Sequence, residues 1–138
     1  MKRRSFINAA ALATPVIFAA TTQNSMAQIQ GGMEGDTFVH HVYFWLKSPE
    51  SKADKDKLVE GLRKLSKVST IKTFHIGQPA PTNRDVIDRS YSISWLLIFN
   101  NKADQDSYQA DPIHLKFVEE CASLWSRVVV YDSVNVFH

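Results

Sequence analysis

The spacing of hydrophobic residues changes several times along this chain, and each change predicts a different element. Residues 38–47 (FVHHVYFWLK) are aromatic and β-branched with almost no polar interruption, which is typical of a buried strand. Similar segments predict three more strands, at 70–77, 89–100 and 126–136. By contrast, 48–68 and 111–125 repeat their hydrophobic residues at intervals of three and four, which predicts two helices.

The predicted order is strand, helix, strand, strand, helix, strand, the ferredoxin-like arrangement of an α+β fold with a four-stranded antiparallel sheet. Two helices cover only one face of such a sheet. Because strand side chains alternate between faces, we expect His41, Tyr43 and Trp45 to lie under the helices. The opposite face is then expected to carry an apolar set: Val42, Phe44, Leu46, Leu96, Ile98 and Val129. An uncovered apolar face predicts a second copy packed sheet against sheet, as a twofold homodimer.

The start of the second helix holds the best candidate for a functional site. Asp111 suits the N-cap, and Pro112 suits the first helical position. His114 then lies in the first turn, where the positive end of the helix dipole favours the neutral imidazole that can act as a base. Tyr108 lies just upstream and can supply a phenol. The alternative is that His114 caps the helix or packs locally without a chemical role.

Charge and cysteine content exclude some classes of function. The formal net charge is +2, but Lys2, Arg3 and Arg4 lie in a leading segment that holds no acid. The rest of the chain is near neutral and has no basic stripe, so no nucleic-acid partner is expected. Cys121 is the single cysteine, and its place among the hydrophobic residues of a helix predicts a buried, unreactive thiol.

Residues 1–27 predict an export signal. The Arg3-Arg4 pair resembles a twin-arginine motif, the apolar run at 9–20 is too short to span a bilayer, and Ser25-Met26-Ala27 suits cleavage. A Sec signal with a chance arginine pair is the alternative. Either route predicts a bacterial periplasmic or secreted protein without a stable membrane anchor. A flexible lead-in at 28–37 and one domain at 38–138 are expected to follow.

Five segments, in their order and spacing, resemble the stress-responsive α/β-barrel (Dabb) domain family. They are HVYFWLK at 41–47, FHIG at 74–77, SYSISWLLIF at 90–99, YQADPIHLKF at 108–117 and RVVVYD at 127–132. The resemblance implies a dimeric α+β barrel with the helices outside and two sheets facing each other. Many members of that family have no known activity, whereas one plant member is a polyketide cyclase that uses a tyrosine and a histidine.

The resemblance also implies site residues. Tyr108 and His114 stand at the positions of the cyclase's working pair, and His41 at that of its first-strand histidine, so these three are the predicted catalytic residues. The predicted ligand-binding residues are Tyr43, Phe74, Ile93, Trp95, Phe117 and Trp125. Ile93 stands where the cyclase has a further pocket histidine, which implies that a different substrate is used here.

Three functions stay open from the sequence. The chain is interpreted as a binding module for a small apolar or aromatic ligand, as a structural homodimer, or as an enzyme of the cyclase or lyase kind. No cofactor and no metal are predicted. Haem is a weaker alternative, with His114, His41 or His75 as the axial ligand. His40 and His41 are adjacent on a strand and point to opposite faces, so they cannot share one ion.

Overall fold

The computed structural model describes residues 35–136, together with Ala13 and Pro15. The chain divides into two compact units, Met1–Gly32 and Met33–His138, and every described helix and strand lies in the second. Apart from Ala13 and Pro15, the predicted export signal lies outside the described residues, so export stays a prediction. Within residues 35–136 no helix is long and apolar enough to cross a membrane.

The elements follow the predicted order, with one helix more. They are β1 (Phe38–Leu46), α1 (Lys52–Leu65), β2 (Thr73–Gly77), β3 (Ile93–Phe99), α2 (Lys102–Ala110), α3 (Pro112–Cys121), a 3₁₀ turn (Ala122–Leu124) and β4 (Trp125–Val134). The four strands form one antiparallel sheet in the order β2-β3-β1-β4. The predicted ferredoxin-like α+β fold is confirmed.

Side-chain caps decide where the first two helices begin. Ser51 Oγ accepts a hydrogen bond from the Asp54 backbone N–H at 3.2 Å, so α1 starts after Ser51 and not, as predicted, after Ser48. Asn101 Oδ1 accepts from the Asp104 N–H at 2.8 Å and opens α2. This cap begins a helix of nine residues.

The third helix begins as predicted and ends earlier. Asp111 Oδ1 accepts from the Ile113 N–H at 2.8 Å, and Pro112 is the first helical residue. The helix ends at Cys121, a 3₁₀ turn follows, and Trp125 opens β4. Trp125, predicted to lie on the helix, is therefore a strand residue opposite Leu46.

The face assignment of β1 from sequence is wrong by one residue. The buried positions of the strand, which the helices cover, are Phe38, His40, Val42, Phe44 and Leu46. The register places Val42 opposite Trp95 on this helix side, whereas His41 and Tyr43 project from the other face. His41, Tyr43 and Trp45 each carry a polar ring atom and are half-exposed, whereas four of the five buried positions are hydrocarbon side chains and the fifth, His40, has its Nδ1 paired with Asp132.

The core lies between this side of the sheet and the helices. Leu58, Leu62 and Leu65 of α1 are completely buried, and Trp95, Leu97 and Phe99 of β3 belong to the same cluster. None of the helices within residues 35–136 covers the other side of the sheet, which is called the open face. It carries Val39, His41, Tyr43, Trp45, Leu96, Ile98, Val129 and Tyr131. Leu96, Ile98 and Val129 lie there as predicted, but Val42, Phe44 and Leu46 do not.

The closest packing of α1 against α3 depends on Gly61. A β-carbon at this position would lie 2.6 Å from Cys121 Sγ and 3.2 Å from the Phe117 ring. Cys121 is buried and Phe117 is packed between helix and sheet, so an added methyl group would have to displace one of them from its place in the core. The absence of a side chain at Gly61 thus allows α1 and α3 to pack closely at this point.

We predict that Gly61→Ala lowers the free energy of unfolding although it improves helix propensity. The propensity gain is about 0.5–1 kcal/mol, whereas overpacking a dense core costs about 1–3 kcal/mol. Urea denaturation of Gly61→Ala, Cys121→Ala and the double variant measures both effects. The double variant should lose less stability than the sum of the single changes, because it lacks the sulfur atom. A more stable Gly61→Ala protein would contradict the packing.

Candidate functional site

The junction of α2 and α3 brings Tyr108 and His114 into contact. Tyr108 lies in the last turn of α2, Asp111 ends that helix and caps the next, and His114 is the third residue of α3. The two ring centroids are 4.8 Å apart with an interplanar angle of 63°. Tyr108 and His114, the candidate pair from the sequence, are therefore in contact on the helix side of the sheet.

Tyr108 is a buried phenol held by the sheet. Only 1% of its surface is exposed, and its hydroxyl accepts a hydrogen bond from Trp95 Nε1 at 3.1 Å. Burial raises the pKa of Tyr108 far above its ordinary value, an effect that the Trp95 hydrogen bond only partly opposes. The phenol therefore stays protonated, and its own hydrogen can serve a second acceptor.

His114 presents a nitrogen with no hydrogen-bond partner in the described part of the chain. Its Nδ1 is buried and unpaired. Burial lowers the pKa of His114, and nearby His40 lowers it further, against the smaller opposing effects of a hydrogen bond between the ring and the Gln109 backbone and of the Asp111 carboxylate. The imidazole is therefore neutral near pH 7, and an unpaired buried nitrogen is a group that a ligand or water can satisfy.

His40 completes this group and is the residue that sequence reasoning missed. It is buried, its Nδ1 lies 2.6 Å from Asp132 Oδ1, and its ring meets the Tyr108 ring edge-on at 5.9 Å. Asp132 is its direct partner across the β1–β4 ladder. The alternation of β1 could have identified it, because His40 lies on the same face of the strand as Val42 and Phe44. We call His40, Tyr108, His114 and Asp132 the His–Tyr cluster.

His41, predicted to be catalytic beside His114, lies on the open face instead. Its ring is 4.3 Å from that of Tyr43, and the Tyr43 hydroxyl is 3.2 Å from His41 Nδ1. The sheet separates both residues from His114, so the predicted roles of His41 as a partner of His114 and of Tyr43 as a wall of the same pocket are wrong. The reason is the one-residue error in the faces of β1.

The other predicted ligand-binding residues lie on the helix side. Ile93 and Trp95 face the helices from β3, and the Phe74 ring is 5.5 Å from that of Trp95. Phe117 and Trp125 stack at 5.9 Å, and the Phe44 ring contacts both. These aromatic residues form the wall that continues from the His–Tyr cluster towards the end of β1.

The helices leave β4 uncovered, which opens one route to the cluster. On the helix side of this edge strand, Val128, Val130 and Val134 are 43%, 45% and 57% exposed, and the Asp132 side chain is 44% exposed. We call these four residues the edge strip. A small molecule lying on the edge strip would contact Asp132 from solvent, and it would reach the buried His40 and Tyr108 only if side chains beside them moved.

The described residues offer no ready metal centre. Within residues 35–136, no group of three or more histidine, cysteine and acidic residues is placed to hold a metal ion. Of the three histidines considered for haem, His114 lies on the helix side, whereas His41 and His75 lie on the open face. Cys121 is buried, and burial raises the pKa of its thiol, which fits an unreactive packing residue.

A family model describes this fold. The model of the stress responsive A/B barrel domain (Dabb) matches residues 38–135, which is most of the chain. A search of curated protein sequences found no match.

Solved structures of the same fold come from bacteria and a plant. A Dabb family protein with a ferredoxin-like fold from Mesorhizobium loti is 20% identical over 74% of this chain and 99% of its own, with a TM-score of 0.62. A hydroxynitrile lyase from Passiflora edulis is 19% identical over 76% and 98%, with a TM-score of 0.62. A dimeric ferredoxin-like protein of unknown function from Thermobifida fusca is 14% identical over 75% and 95%, with a TM-score of 0.61. At these identities the likeness establishes the fold.

We predict that His114 titrates below the ordinary histidine pKa and makes stability depend on pH. Its folded pKa lies below the unfolded value of about 6.5, so the unfolded chain binds protons more readily as the pH falls through this range. Stability should therefore decrease on acidification below about pH 6.5 and be unaffected by this group above it. NMR titration of the imidazole gives the pKa, and urea denaturation of wild type and His114→Gln between pH 5 and 8 gives the linkage. Equal pH dependence of the two proteins would contradict the burial of His114.

Proposed function

The chain belongs to the stress responsive A/B barrel domain family, and from this premise we propose that it is a homodimeric enzyme of the lyase kind that moves a proton on a small hydroxy or carbonyl compound. One observation carries the proposal. A buried, neutral imidazole with an unpaired nitrogen, His114, lies in ring contact with a buried, protonated phenol, Tyr108.

The two groups have complementary roles in such a reaction. His114 Nδ1 accepts a proton from the hydroxyl or the α-carbon of the substrate, because the imidazole is neutral at the working pH. The Tyr108 hydroxyl donates a hydrogen bond to oxygen, either the substrate carbonyl or the oxyanion that develops on it. Asp132 fixes the orientation of His40 through the 2.6 Å contact, and His40 in turn borders the Tyr108 ring.

The surroundings favour a small substrate with an apolar or aromatic substituent. Val128 and Val130 of the edge strip lie on the same side of the sheet as the polar pair, and Phe117 and Trp125 form an aromatic wall. The fold is shared with a hydroxynitrile lyase, so a cyanohydrin is a sensible first substrate. On a cyanohydrin, His114 removes the hydroxyl proton, the bond between carbon and cyanide breaks to leave a carbonyl, and the departing cyanide takes up a proton.

A non-catalytic binding module is the second candidate. The specific observation in its favour is that Tyr108 and Trp95 are each only 1% exposed. A ligand that leaves this packing intact would rest on the edge strip, with Asp132 as its polar contact, and would not reach the phenol. Binding without turnover is the result that distinguishes this function from the enzyme.

The proposed homodimer forms through the open face. This face carries large side chains without a helix over them, among them Leu96, Val129 and the exposed Tyr131. Covering such a surface with a second copy satisfies the hydrophobic side chains and gives a closed twofold assembly. The Thermobifida fusca protein of the same fold is described as dimeric, which supports this arrangement.

We predict that His114→Ala lowers kcat by about 10²- to 10⁴-fold on any substrate that wild type turns over, with a smaller change in KM, because a general base is lost. Tyr108→Phe should lower kcat as well, since the ring stays and only the donor is removed. His75→Ala, a histidine on the other side of the sheet, is the matched control and should leave kcat unchanged. Small aromatic and aliphatic cyanohydrins and β-keto compounds form the substrate panel. Turnover that survives His114→Ala would refute the assigned base.

We predict that Leu96→Lys converts the homodimer to a monomer, because the charge would be buried between two sheets. Sedimentation velocity at micromolar concentration measures the change. Leu115→Lys places the same charge on an exposed position of α3 and should leave the dimer intact. Circular dichroism confirms that both variants are folded. A monomeric wild type, or dissociation by Leu115→Lys alone, would count against the open face as the interface.

A further inference from the structure

We infer that the outer side of the helix layer carries a second binding site, a groove between α1 and α3 that takes a carboxylate with an apolar tail, of the medium-chain fatty acid class. No member of the His–Tyr cluster lines this groove. The inference therefore goes beyond the proposed lyase function and does not depend on it. The proposed homodimer forms through the open face, on the other side of the sheet, and so leaves the outer side of the helices uncovered.

The groove follows the facing edges of the two helices. It holds a cavity of about 250 Å³, whose described lining residues are Gly61, Lys64, Lys67, Ile113, Lys116, Phe117 and Glu120. The spacing of three and four between these positions is that of one face of a helix. From Ile113 to Glu120, α3 rises about 10 Å, since each helical residue adds about 1.5 Å. Ligand sites commonly span roughly 300–1,000 Å³, so this cavity suits a small, extended ligand.

The floor of the groove is apolar. Gly61 has no side chain, and a β-carbon built there would lie 3.2 Å from the Phe117 ring, which bounds the space beside it. Phe117 is 7% exposed, whereas Ile113, at the far end of the groove, is 38% exposed. An apolar tail lying along the groove would cover the Ile113 side chain and remove its hydrocarbon surface from water, which favours binding.

The groove carries an excess of positive charge. Lys64, Lys67 and Lys116 contribute three ammonium groups, against the single carboxylate of Glu120. A lysine stem lies along apolar surface while its ammonium stays in water, so we expect the charges at the rim. Within residues 35–136, neither Lys64 nor Lys67 forms an ion pair, and the Lys116 Nζ to Glu120 Oε1 contact is long, at 3.8 Å. Two ammonium groups are thus available to a carboxylate at the end of the tail.

The positive charge of α1 reaches the residue beneath the groove. Cys121 Sγ lies directly under Gly61, where a β-carbon would be 2.6 Å away. Burial raises the pKa of the Cys121 thiol, whereas Lys57 and Lys64 lower it and Glu120 raises it. Lys64 therefore acts on the packed side of the groove as well as on its rim. This charge selects an anion, because a cationic head group would be repelled by like charge.

The test is calorimetric titration of the full-length protein with octanoate, with its uncharged analogue 1-octanol and with butyrate, below the concentrations at which these compounds form micelles. Octanoate should bind saturably. Binding of 1-octanol should be at least about fivefold weaker, because the charge is missing, and binding of butyrate at least about tenfold weaker, because four methylene groups are missing. The amide resonances of Gly61 and Ile113, followed by NMR, should shift with the octanoate midpoint, which locates the binding in the groove.

Matched variants test the role of the charges. Lys64→Gln and Lys67→Gln should each weaken octanoate binding about two- to fivefold. Arg63→Gln removes the same charge from the adjacent position of α1, outside the lining, and should leave binding unchanged. Glu120→Gln should strengthen octanoate binding, because it removes the one carboxylate of the lining. All four side chains are exposed, so we expect the variants to fold as wild type does.

Four results would overturn the inference. They are no saturable binding of octanoate to wild type, equal binding of 1-octanol, equal weakening by Arg63→Gln and Lys64→Gln, and NMR shifts at His114 without shifts at Gly61. The last result would place the ligand in the His–Tyr cluster instead. Support requires preference for the charged, long-tailed ligand together with opposite effects of Lys64→Gln and Glu120→Gln. None of these measurements depends on turnover, so they do not test the proposed enzyme.

Discussion

The register of β1 between β3 and β4 is the constraint on which both faces of this protein depend. β1 is a central strand, so its backbone hydrogen bonds are shared with two neighbours and its pairing cannot slip without breaking both ladders. This register places His40 opposite Asp132 and beside Tyr108 on the helix side. It also places His41 and Tyr43 on the open face. A shift by one residue would exchange the two histidines and replace a paired imidazole by an unpaired one in the core.

On the helix side of the sheet, the polar atoms of several buried side chains are paired by hydrogen bonds. Trp95 and Tyr108 are almost fully buried, yet the indole N–H and the phenol oxygen satisfy each other at 3.1 Å. His40 is buried next to them and is matched by a carboxylate on an edge strand that remains in contact with solvent. Each pair thus limits the cost of burying polar groups, and burial in turn keeps the phenol protonated.

Local pattern predicted the parts of this fold that local physics controls. The hydrophobic residues repeat every two residues in the strands and every three or four in the helices, and this change predicts the element order. Asp111 and Pro112 predict the start of α3, because a helix cap acts within one turn. The His40–Asp132 contact joins residues 92 positions apart. It depends on strand register, which the spacing of neither strand encodes alone. The alternation of β1 divides its residues into two faces but does not show which face the helices cover, and the polar atoms of Tyr43, Trp45 and His41 favour the less buried one.

The unpaired nitrogen of His114 is the strongest argument that the helix side is a functional site and not simply a core. A buried polar atom without a partner costs about 1–3 kcal/mol, which is a large share of the stability of a small domain. The neighbouring side chains of Tyr108, Trp95 and His40 each have one hydrogen-bond partner, so the local structure is able to pair such groups. A leucine at position 114 would fill similar space without this cost. A ligand or a water molecule that pairs with Nδ1 would therefore explain why an imidazole stands at this position.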